Sequence, residues 1–116
     1  MSNSHASNVS VTGFLAVAAL ERYQEAWEEL VDRWFDAERF VRVNDELDDF
    51  RKLVAAMPQL SADLVEVVMR HAQVLRTLIK PASPMPRAAE LAALREKHRA
   101  AIAAIRAKCV DLLAPA

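Results

Sequence analysis

Apolar residues recur at alternating steps of three and four from Phe14 to Met57, the spacing of one face of an α-helix. Leu20, Tyr23, Trp27, Leu30, Trp34 and Ala37 form a first seam; Phe40, Val43, Leu47, Phe50, Val54 and Met57 form a second, shifted in phase. The slip falls over Phe40 to Asn44, where Asn44, Asp45 and Glu46 offer an N-cap residue and two first-turn acids ahead of Leu47. Two readings follow, a helix break near Asn44 or a continuous helix with a stammer. The break is preferred, because an unbroken helix of roughly 65 Å leaves Trp27 and Trp34 uncovered within one chain. The broken form makes a monomer, and the continuous form demands a homodimer.

Pro58 closes the second seam, and Ser61 with Asp63 marks the next helix start, with Leu60 placed to staple against Val65. Val65, Val68, Ala72, Leu75 and Ile79 form its seam, widened by Leu64, His71 and Leu78, up to Lys80 and Pro81. Beyond Pro84 and Pro86, Leu91, Leu94, His98, Ile102, Ile105, Cys109 and Leu112 line a last helix. Residues 1–13 are small and polar and read as a disordered leader, with Thr12 capping the first helix. The predicted fold is all-α: one domain over residues 14–116, a four-helix bundle with a long first helix, a short second one and two further antiparallel helices.

Composition narrows this picture. The chain has 116 residues, 53% of them apolar, and a single glycine, Gly13, enough for one helical core without metal or disulfide. A net charge of −1 provides no basic field for nucleic acid. Within that sum, residues 14–57 hold eleven acids and six bases, and residues 87–116 hold six bases and three acids. The first and last helices are therefore expected side by side. Cys109, the only cysteine, lies on an apolar seam and suits a buried thiol in a reducing compartment. The run Phe14 to Leu20 is too short to span a bilayer. Arginine-rich, alanine-rich usage suggests a bacterial chain, with the cytoplasm as the expected location.

Two histidines are the candidates for chemistry. The segment around His71, RHAQVLRTLIKP, resembles the sensor-kinase phosphotransfer signature at Leu75-Arg76-Thr77. The spacing differs, since His71 stands four residues before that leucine where the family has two, and no glycine follows. His71 and His98 could meet across a bundle as metal ligands, but neither has a Glu three residues earlier as di-iron bundles do. No catalytic residue, cofactor or metal is assigned. The expected role is a non-enzymatic interaction module, adaptor-like or secretion-chaperone-like, binding a protein partner through Trp34, Phe35 and Phe40.

The alternative is membrane targeting. A break near Asn44 brings Arg39, Arg42, Lys80 and Arg87 to one bundle tip with Phe40, Ile79 and Met85, a pattern suited to anionic phospholipid. The architecture is similar to small helical bundles that take secreted bacterial effectors and toxins to host membranes. The Ser/Asn/Thr-biased leader likewise resembles type III secretion signals.

Overall fold

The computed structural model describes residues 2–33, 36–79 and 84–113, with side chains over 11–33, 36–79 and 88–113. Four helices follow in order: α1 (Ser2–Asp32), α2 (Ala37–Val54), α3 (Ser61–Ile79) and α4 (Pro84–Asp111). A single 3-10 turn, Pro58–Leu60, joins α2 to α3, and no strand occurs among the described residues. The protein is an all-α four-helix bundle, drawn out to 60 × 24 × 17 Å.

The chain does break in its first half, at a different place from the predicted one. α1 ends at Asp32 and α2 begins at Ala37, so Phe40 to Glu46 lie inside α2 and Asn44 caps nothing. The cap is Asp36, whose extended backbone (φ −141°, ψ 164°) lets its carboxylate accept from the Arg39 backbone N–H at 2.9 Å. Glu38 then supplies the first-turn acid. The fold-back gives both seams a neighbour: Leu20, Tyr23, Trp27 and Leu30 of α1 and Val43, Leu47, Phe50 and Val54 of α2 are all buried. Trp27 is thus covered by its own chain, and Trp34 lies outside the described residues.

Two other starts differ from expectation. α1 begins at Ser2, which places Thr12 within the helix. Ser61 follows directly on the 3-10 turn and is itself the first residue of α3. Leu60 is fully buried while Val65 points to solvent, so the predicted staple between them is not made. The buried face of α3 carries Val67, His71 and Val74, and Val65, Ala72 and Ile79 face outward. Apolar residues nearly encircle α3, so periodicity alone does not choose its face.

Ion pairs fix the arrangement. Glu29 with Arg42, and Arg22 with Glu46 at 3.2 Å, set α1 and α2 antiparallel. Arg95 bonds Glu28 at 2.7 Å and Asp32 at 3.3 Å, Arg99 meets Glu28 at 3.2 Å, and Arg106 meets Glu21 at 2.9 Å. The acidic first helix and basic last helix therefore do lie side by side, also antiparallel. Lys108 reaches Asp63 at 3.0 Å to tie α4 to the start of α3. Gly13 lets α1 approach the end of α4: a Cβ there would stand 3.1 Å from Leu113 Cδ2.

Candidate functional site

Three helices deliver polar groups to one point in the core. Tyr23 and Trp27, one turn apart on α1, share the face that packs inward. His71 arrives from α3 between Val67 and Val74, and His98 from α4 one turn before Ile102. The Tyr23 hydroxyl lies 2.8 Å from His71 Nδ1 and 2.9 Å from His98 Nε2. Trp27 Nε1 donates to the same His71 nitrogen at 3.1 Å.

One tautomer set accounts for all three contacts of this cluster. An indole N–H can only donate, so His71 Nδ1 is an acceptor and its proton sits on Nε2. The Tyr23 hydroxyl then donates to that lone pair and accepts from His98 Nε2–H. Reversing the tyrosine would set an imidazole N–H against the indole N–H. The rings reinforce the order: Tyr23 stacks on His71 with centroids 5.9 Å apart, and Trp27 meets His71 and His98 edge-on at 5.0 and 5.1 Å.

Burial sets the protonation states. Desolvation pushes both histidines down to about 4, and for His98 the nearby His71, Arg95 and Arg99 push the same way. Desolvation also raises the Tyr23 hydroxyl well above its ordinary value. All three groups are neutral at pH 7. A narrow recess lined by Trp27, Glu28, Arg95, His98 and Arg99 runs from the surface toward the cluster, with Glu28 and the arginines paired across its rim.

The histidines thus meet across the bundle, through a tyrosine that sequence spacing did not connect to them. The signal was present, since Tyr23, His71 and His98 each stand on an apolar seam, where a polar group must find a partner. The arrangement is poor for a metal ion, because the Trp27 N–H aims a positive dipole at the nitrogen a cation would need. No group of three or more His, Cys, Asp or Glu placed to hold a metal occurs among the described residues. A phosphotransfer histidine must present a free nitrogen to solvent, whereas His71 is buried and has Nδ1 occupied by two donors.

The predicted surfaces fare unevenly. Trp34, Phe35 and Lys80 lie outside the described residues, and Met85 and Arg87 fall in the first turn of α4 with side chains outside them. Phe40 is half-buried on α2, so it is not a free anchor. Arg39 bonds Asp36 at 2.6 Å and Arg42 pairs with Glu29, committing both cations within the chain. Ile79 is exposed at the end of α3.

Sequence reasoning missed a different surface, at the opposite end. Val11, Phe14 and Leu15 are 59%, 66% and 47% exposed, at steps of three and four on α1. The register of α1 with α2 carries the end of α2 to about the level of Phe14, which leaves this stripe without a helix over it. Val110 of α4 is exposed at the same end. The first twenty residues contain no Asp, Glu, Lys or Arg. The signal lay in Val11, Phe14 and Leu15 preceding the first seam. Comparison with protein-family models, curated proteins and solved structures finds no match.

Proposed function

We propose that the chain is a non-enzymatic interaction module that presents the Val11, Phe14 and Leu15 stripe of α1 to an apolar groove on a protein partner. The observation that carries this is a large aromatic residue, Phe14, two-thirds exposed beside two aliphatic neighbours at helical spacing. Such contiguous apolar surface on a folded domain marks interaction sites. With no charge in the first twenty residues, association rests on apolar burial and is insensitive to salt. No helix among the described residues is long and apolar enough to cross a membrane.

Photo-crosslinking from position 14 in cells expressing the chain tests this. The expected result is an adduct with one other protein which, once purified, binds equally in low salt and about 0.5 M salt. Phe14→Glu should weaken that binding at least about tenfold, by removing a burial worth over 1.4 kcal/mol. An adduct pattern no different from that at exposed Lys97, or adducts only between copies of the chain, would overturn the proposal. The runner-up, membrane targeting as in a secreted bacterial effector, draws on Ile79, exposed at the end of α3. It predicts salt-sensitive co-sedimentation with anionic liposomes, lost on charge reversal at Lys80 and Arg87.

A further inference from the structure

The hydroxyl of Tyr23 is a buried polar bridge between α1 and the α3–α4 hairpin, and its donation to His71 Nδ1 lasts only while that imidazole is neutral. We propose that Tyr23, His71 and His98 form an acid-sensitive lock, opened when both histidines take up a proton and release α1 from α3 and α4. Protonated His71 carries hydrogen on both nitrogens, so Nδ1 can no longer accept from the Trp27 indole or the Tyr23 hydroxyl. With both rings charged the hydroxyl oxygen can only accept, from Nδ1–H of His71 and Nε2–H of His98, and its own proton and the Trp27 indole N–H lose the acceptor they share.

The surroundings give no relief to positive charge. From α1 the pair is faced by neutral Tyr23 and Trp27, with Glu28 and Asp32 at the rim already bonded to Arg95 and Arg99. From α4, those two arginines flank His98 and oppose a second cation. On α3, Arg70 turns away to Glu66 and Gln73. The buried residues of α2 are apolar: Val43, Leu47, Phe50 and Val54. Because the folded-state values lie below the ordinary imidazole value, the stabilisation is fully present above pH 6.5 and is lost as pH falls from there toward 4. Opening uncovers the Tyr23 and Trp27 face of α1, a second apolar surface continuous in sequence with the exposed stripe. The lock does not depend on the proposed partner site.

The indole proton of Trp27 reports the lock directly, because it is bonded to His71 Nδ1. Its hydrogen-exchange protection, corrected for intrinsic rate, should fall about fifty-fold per pH unit near pH 5, the signature of nearly two protons taken up on opening. In His71→Gln/His98→Gln the slope should vanish. Protection that stays flat between pH 7 and 4.5, or an equal slope in the double variant, would overturn the lock. Should that variant not fold, NMR titration of the native chain decides: both buried imidazoles should stay neutral until tertiary dispersion is lost. Either of them titrating near 6.5 with the native spectrum intact would equally overturn it.

Discussion

Replacing Tyr23 with phenylalanine removes one oxygen and leaves the ring that packs the core. The hydroxyl makes two buried hydrogen bonds, to His71 Nδ1 and His98 Nε2. Its loss leaves the His71 nitrogen with the Trp27 indole as donor, so that side forfeits a net bond of about 1 kcal/mol. On the other side His98 Nε2–H is stranded in the core, which costs about 1–3 kcal/mol. The sum, about 2–4 kcal/mol, is a large share of the roughly 6–17 kcal/mol expected of a domain this size. Urea unfolding at pH 7.5, followed by helical circular dichroism, should show a lower midpoint with an unchanged slope, since the surface exposed on unfolding is the same. A further His98→Leu change should recover part of the loss, because removing both partners leaves no stranded donor. A Tyr23→Phe loss below about 0.5 kcal/mol, within the range of an ordinary surface change, would refute the reasoning.

Asp36→Ala should cost about 1 kcal/mol as a lost helix cap, whereas Asn44→Ala, inside α2, should be near neutral in the same urea titration. Arg95→Ala should cost about 0.5–1 kcal/mol through its contacts with Glu28 and Asp32, and the difference should shrink at high salt, as thermal melts at two ionic strengths would show. Cys109 is fully buried and its thiol is raised by desolvation and by Asp63, so alkylation under native conditions should be slow and should accelerate together with unfolding by urea.

Which parts of the molecule were legible depended on how many physical demands converged on a residue. Tyr23, Trp27, Phe50, Ile102 and Ile105 are large, apolar or amphipathic, and correctly spaced, so their burial could be read directly. The charge asymmetry between first and last helices was legible for the same reason, because opposite charges on long neighbouring helices need each other's company. The hinge was read eight residues late: Asp36 and Asn44 are both sound caps with acids behind them, and only the packing of α1 on α2 decides between them. On α3, Val65 and Val67 are equally apolar, and His71 selects the buried face through a hydroxyl 48 positions away in sequence. That long-range bond leaves no periodic trace. The exposed stripe was missed because Val11, Phe14 and Leu15 are as apolar as the buried seam that follows them, and spacing alone does not say where the covering helix ends.

The account turns on one buried hydroxyl joining α1, α3 and α4, and the ring nitrogens of His71 and His98 report it most directly. Long-range nitrogen–proton NMR at pH 7.5 should show His71 as the Nε2-protonated tautomer with Nδ1 accepting, His98 protonated on Nε2, and Overhauser contacts from both rings to Tyr23. Finding either imidazole charged at that pH, or His71 protonated on Nδ1, or Tyr23 in contact with only one of the two rings, would contradict it.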